Sequence, residues 1–310
     1  MTNYEIGSIY LGSGEVKIAE KFLRKALEES PDSAEVWGEL GECLAVLGKY
    51  EEAKNALEKS LAIEPDRIKV LLLLSQICKT LGDEDKSVEY FMKAEGQDVP
   101  ISELYIIIGG FALKIGKLEE AEQYLKYALS LEPDNAKIYN ILSLLEHKRG
   151  RIDKAIELVK HAIELKPNSA SFYFNLGNFY KFDLKKFDSA IASYEKSIEL
   201  APNSFTTWNN LGVTYMGIKD YKRAEECLLK SIEIAPVHFR AYYNLACLFS
   251  LQNDVDRALE YLEKAFELAP ENVCKKMPND PDFRNLWNEY RASHLLVKYC
   301  GELESFQIQF

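Results

Sequence analysis

The residues in this chain that could do chemistry are few and scattered. Four histidines, His147, His161, His238 and His294, could ligate a metal or carry protons, but none stands at HExxH or other ligand spacing. Each is therefore expected on a helix surface or packed in the interior. Six cysteines, Cys43, Cys78, Cys227, Cys247, Cys274 and Cys300, contain no C-x-x-C pair and no zinc-type quartet, so reduced structural thiols are expected. Gly12-Ser13-Gly14 falls in a turn between helical patterns, not after a strand, and makes no phosphate loop. No Ser or Cys sits in a nucleophile-elbow context. Carboxylate pairs such as Glu51-Glu52 and Glu119-Glu120 open helical segments, where negative charge suits the N-terminal end. The expectation is a chain with no catalytic residues, no cofactor and no metal.

Bulk properties narrow the partners. The formal charge is -11, and residues 1–66 alone carry 14 Asp/Glu against 7 Lys/Arg. Such a chain repels nucleic acid and anionic membrane surfaces, so neither is an expected partner. Apolar runs such as Val70–Leu74 and Tyr105–Ile108 are far too short to span a bilayer. The N-terminus shows no basic region followed by an apolar core, and a soluble cytoplasmic protein is expected.

Internal repetition dominates the pattern. Pro31, Pro65, Pro100, Pro133, Pro167, Pro202, Pro236 and Pro270 are separated by 34, 35, 33, 34, 35, 34 and 34 residues. Within 205–238, Trp208, Leu211, Gly212 and Tyr215 form one helical stripe and Ala224, Leu228 and Ser231 a second, with Lys219-Asp220-Tyr221 between them. Residues 34–67 repeat this with Trp37, Leu40, Gly41 and Leu44, then Ala53, Leu57 and Ser60. Each proline disfavours α conformation in the residue before it and ends a helix. The polar residues that follow, Asp32-Ser33, Asp66, Asp134-Asn135, Asn168-Ser169 and Asn203-Ser204, are candidate N-caps.

The spacing Trp208-x-x-Leu-Gly-x-x-Tyr215, then Ala224, Leu228 and Pro236, resembles the tetratricopeptide repeat. The resemblance implies an all-α fold: a right-handed superhelical solenoid of about eight helix-turn-helix repeats. Units run over 1–33, 34–67, 68–101, 102–135, 136–169, 170–204, 205–238 and 239–272. The unit at 68–101 departs from the pattern, with Ser75 and Ser87 for the usual Gly and Ala, and 170–204 has an extra residue around Phe182–Lys186. Residues 273–310 are expected to cap the solenoid. Phe283, Leu286, Trp287, Tyr290, Leu296 and Val297 are placed on one closing helix over 283–299, followed by the tail Phe306–Phe310. Asp280-Pro281-Asp282-Phe283 resembles the closing segment of many prokaryotic proteins of this kind.

The resemblance also implies which positions of each first helix face a concave groove, and three zones follow. One is acidic: Glu35, Glu39 and Glu42, suited to a basic segment. The second is apolar: Leu72, Leu73, Ile106, Ile107, Ile141 and Leu144, suited to an amphipathic helix or a second copy. The third is an asparagine stripe: Asn175, Asn210 and Asn244, with Asn178 and Asn209 beside them and Phe174 and Tyr243 adding apolar contact. An amide carries donor and acceptor together and can follow a peptide backbone whatever its sequence. Some members of the family grip two carboxylates at a chain terminus. Asn178, Asn210 and Arg240 match that pattern, but Phe174 stands where a Lys is expected and Asn244 where an Arg is expected, so such a clamp is not expected here. The function expected is a non-catalytic scaffold binding a protein or peptide in its groove. The alternatives are a self-assembling homo-oligomeric subunit or a regulatory subunit of a separate enzyme.

Overall fold

In the computed structural model, residues 1–286 and 289–301 are described, and among them the regular structure is entirely helical. The chain divides into two compact units, residues 1–175 and residues from 176 onward. The first contains the helix pairs α1 (Asn3–Gly12) and α2 (Val16–Glu29), α3 (Ala34–Val46) and α4 (Tyr50–Ile63), α5 (Ile68–Leu81) and α6 (Glu84–Glu95), α7 (Ile101–Lys114) and α8 (Leu118–Leu131), and α9 (Ala136–Lys148) and α10 (Ile152–Leu165). Helix α11 (Ala170–Asn178) contains the division. The second unit holds α12 (Phe187–Leu200), α13 (Phe205–Gly217), α14 (Tyr221–Ile234), α15 (Phe239–Leu251), α16 (Val255–Leu268), α17 (Pro270–Lys276) and α18 (Tyr290–Cys300). Short turns fold each first helix back on its second, and in each unit first helices also pack directly on one another, as α5 does on α7 and α13 on α15.

The punctuation works as the prolines require. The residues before Pro31, Pro65, Pro133, Pro167, Pro202, Pro236 and Pro270 leave the helix with φ between -128° and -150°. Pro100 differs, because α6 already stops at Glu95. Ser33 and Asn135 cap their helices through Val36 N and Lys137 N. Asp66 does not cap α5: Arg67 takes that place and makes no side-chain cap. The recurring aromatic of the first helix ties back to the proline step, with Trp37 Nε1 and Trp208 Nε1 each donating to the Pro31 and Pro202 carbonyls at 2.7 Å.

Close helix crossing explains the small residues. A Cβ on Gly212 would meet Leu228 Cγ at 2.8 Å and the Ala224 carbonyl at 3.1 Å. In the irregular unit, Ser75 and Ser87 face each other with hydroxyls 3.4 Å apart, so the buried substitutes satisfy one another. The extra residue of 170–204 is absorbed as a π-helical turn, Phe179–Asp183.

The C-terminal region departs from the single helix expected over 283–299. Pro270 starts α17, Pro281–Leu286 forms a 3-10 helix, and α-helix resumes only at Tyr290. The prolines at 278 and 281 each remove a backbone donor and break the run. Phe283, Leu286 and Leu296 are buried as expected, whereas Tyr290 and Val297 are exposed. Trp287 and the tail 306–310 lie outside the described residues.

Cys274 and Cys300 form a disulfide with Cα atoms 5.7 Å apart, which corrects the expectation of six reduced thiols; the other four are free and buried. The bond closes a loop of 26 residues. Loop closure of that length should contribute about 3 kcal/mol. A Cys274→Ser/Cys300→Ser variant should accordingly melt several degrees lower, and identical melting curves would show that the bond contributes nothing.

Candidate functional site

The first-helix face of the first unit is largely spent on the chain itself. Tyr4 and Ser8 of α1 donate to Glu39 at 3.1 and 2.6 Å. Glu42 is buried, with Lys69 Nζ at 2.6 Å and Lys114 Nζ also bonded to it. Burial pushes the Glu42 carboxyl up, but Lys114 and Lys69 outweigh it and hold the group below its usual value. Glu42 therefore corrects the acidic zone: its charge is neutralised internally, and of the three glutamates only Glu35 is exposed.

The apolar zone is corrected more strongly. Leu73 is 2% exposed, and Leu72 and Ile106 are equally core residues. Ile107 is half-buried and packs against the cluster of Leu71, Leu72, Ala94, Leu104 and Ile108; Ile141 and Leu144 join the neighbouring cluster around Ala112 and Leu145. Leu72, Leu73 and Ile106 thus hold the helix pairs together, while Ile107, Ile141 and Leu144 stay half-buried. At the end of this unit Asn175 donates to Asn140 Oδ1 at 2.8 Å, with Phe174 half-buried beside it.

The second unit places the remaining asparagines in one connected ladder. Asn210 Nδ2 donates to Asn178 Oδ1 at 3.0 Å, and Asn244 Nδ2 donates to Asn209 Oδ1 at 2.8 Å. Tyr194 donates to Asn178 Oδ1 from α12, 2.8 Å away. Each bond joins a first helix to its neighbour, so the amides have a structural task that the consensus pattern alone did not reveal. No bond among the described residues engages Asn178 Nδ2 or Asn244 Oδ1. Arg240 stands exposed in the first turn of α15.

Tyr243 is not available as a groove residue. It is 2% exposed, covered by the chain's own segment: its hydroxyl donates to Asp280 Oδ2 at 2.7 Å and its ring meets Phe283 edge-on at 5.4 Å. Asn285 Nδ2 donates to the Ser250 carbonyl at 3.0 Å, extending this cover along α15. Beneath it, Cys247, Asp280 and Asp282 form the one group of three candidate metal ligands among the described residues. One of the two carboxylates is already used: Asp280 accepts from Tyr243 and from the Asp282 amide and lies 3.7 Å from Lys276 Nζ. Burial drives the Cys247 thiol far above its ordinary value, so it stays protonated.

One residue not singled out in the sequence stands out here, and one of the four histidines stands beside it. Lys181, in the π-helical turn, is buried, and its Nζ donates to the Asn210 carbonyl at 3.3 Å. Burial, with the Lys276 ammonium adding to it, pushes this amine down to about 7. His238 is also buried, edge-on to Phe205 at 4.9 Å, and burial together with Arg240 lowers it to about 4, so it is a neutral packed imidazole near pH 7. The signal for Lys181 was present: it occupies a groove-facing position of its repeat under the family pattern, next to the inserted residue.

Tetratricopeptide repeat models match residues 10–77, 68–98, 102–135, 168–236 and 203–271, and a TPR repeat model matches 144–181. No curated protein matches the chain. Among solved structures, a crystal structure of MamA is similar at 26% identity, with a TM-score of 0.48, over 54% of this chain and 96% of that one. MamA 41-end from Desulfovibrio magneticus RS-1 shows 22% identity and a TM-score of 0.49, over 56% and 97%. The APC/C hetero-tetramer Cut9-Hcn1 shows 20% identity and a TM-score of 0.46, over 81% of this chain but only 48% of that one. The proline-spaced helix pairs, their crossings at Gly212 and Gly41, and family models matching most of the length lead to one conclusion: the chain belongs to the tetratricopeptide repeat family.

Proposed function

We propose that the chain is a non-catalytic scaffold that holds another polypeptide against the first-helix face of its second unit. The family's fold generally serves as a protein-interaction scaffold without chemistry of its own. The observation that carries the choice of face is the asparagine ladder. Its amides are fixed by mutual bonds yet retain an unused donor on Asn178 and acceptor on Asn244, so a peptide backbone would find preorganised partners at little entropic cost. Exposed Arg240 and the exposed ring of Phe182 flank it. Self-assembly through the apolar zone has less to rest on, because Leu72 and Leu73 are core residues and Ile107, Ile141 and Leu144 are half-buried. The Cys274–Cys300 bond supports a working environment more oxidising than the cytosol, against the cytoplasmic expectation.

The test is capture of partner by the natural chain and by an Asn178→Ala/Asn244→Ala variant of verified fold. Each lost amide should weaken binding by roughly 1 kcal/mol, so the pair should lower affinity about thirtyfold. Equal affinity of both proteins would remove the ladder from the binding surface.

A further inference from the structure

Among the described residues, three Asp, Glu, Lys or Arg side chains are almost wholly buried: Glu42 and Glu146, each 4% exposed, and Lys181, 7% exposed. A buried charge is costly unless an opposite charge answers it. Glu42 has Lys69 and Lys114. Glu146 has Arg149, Arg151 and Lys154, at 3.6, 3.1 and 3.3 Å. Lys181 has no carboxylate partner among the described residues. Its Nζ meets the Asn210 carbonyl and the face of the Phe182 ring, 4.5 Å from its centroid. The charged group acting on it is Lys276, of the same sign.

We infer that Lys181 is the anchor for a carboxylate of the bound polypeptide, set between the asparagine ladder and Phe182. The inference rests on the proposed binding role of this face and names the group recognised there. Phe182, 60% exposed, stands directly beside the ammonium, so the anchor adjoins an aromatic ring that a neighbouring residue of the partner can cover. The uncompensated charge is single. Lys276 already shares Asp280 and lies 4.1 Å over the Tyr243 ring, so the site calls for a monoanion such as a carboxylate, not a phosphate dianion. The π-helical turn is the local device: the inserted residue displaces Lys181 from ordinary helical register just where it meets Asn210. An Asp or Glu side chain and a chain terminus both carry the carboxylate that this site takes.

The experiment is titration of the lysine side chains of the full chain by NMR of 13C-lysine, with Lys181→Gln identifying the resonance. Three probes are added in turn: acetyl-Ala-Asp-Ala-amide, acetyl-Ala-Ala-Ala with a free terminal carboxylate, and acetyl-Ala-Ala-Ala-amide as the neutral control. A carboxylate probe should raise the Lys181 titration by about one pH unit or more, a tenfold gain in proton affinity. Whichever carboxylate probe acts identifies the source. Failure of both to shift Lys181 beyond the neutral control overturns the inference. The readout needs no captured partner, so such a failure leaves the asparagine-ladder result standing, and loss of the ladder result does not alter this one.

Discussion

Replacing Lys181 with methionine should stabilise the chain at neutral pH, by roughly 2–4 kcal/mol. The sign follows from linkage. The amine has an ordinary value of 10.5 and falls to about 7 in the folded chain. Between those limits the unfolded chain binds more protons than the folded one, so stability rises with pH across that window. The cost of Lys181 is thus full below about pH 7 and absent above 10.5. Methionine fills similar space without the charge and should remove both the cost and its slope. Thermal unfolding of natural and variant chains at pH 6.5 and at pH 9.5 checks this: a large gap is expected at the lower pH and a small one at the higher. Equal stability at the lower pH would mean that the ammonium is well solvated. A residue that weakens its own fold is the kind retained for binding.

Phe283→Ala should loosen the C-terminal cover of α15. Phe283 is fully buried and packs edge-on against Tyr243, so truncation should cost about 3–5 kcal/mol at this site. The local readout is Cys247, which lies buried beneath the cover. A thiol reagent should label Cys247 much faster in the variant, while Cys43, Cys78 and Cys227, buried elsewhere, keep their slow rates. Acceleration at all four would indicate global unfolding, and no acceleration would show that the segment does not shield α15.

Much of the fold was legible in the sequence, because its signals are local. Proline spacing, the Trp and Gly stripe of 205–238 and the irregular serines of 68–101 each act within a single helix pair, and the helix boundaries follow them. What escaped depended on contacts distant in sequence. The Cys274–Cys300 bond joins residues with no spacing signature, and the cover over Tyr243 arises from the fold-back of a segment 37 residues away. Neutralisation of Glu42 by Lys114 crosses 72 residues, so the apparent acidic strip could not be seen as satisfied from sequence alone. The apolar run of α5 looked like an open strip because its neighbours on every side come from other helices. The asparagine positions were found from the family pattern, but their bonds to one another required the neighbouring helix.

The most direct measurement is site-specific photo-crosslinking of the captured polypeptide. A photo-reactive residue in place of Phe182 reports on the first-helix face, and one in place of Leu229, exposed on α14, reports on a second helix. Crosslinks from position 182 and none from position 229 are the predicted result. Crosslinks from position 229 alone would place the partner on the second helices and contradict the assignment of the binding face.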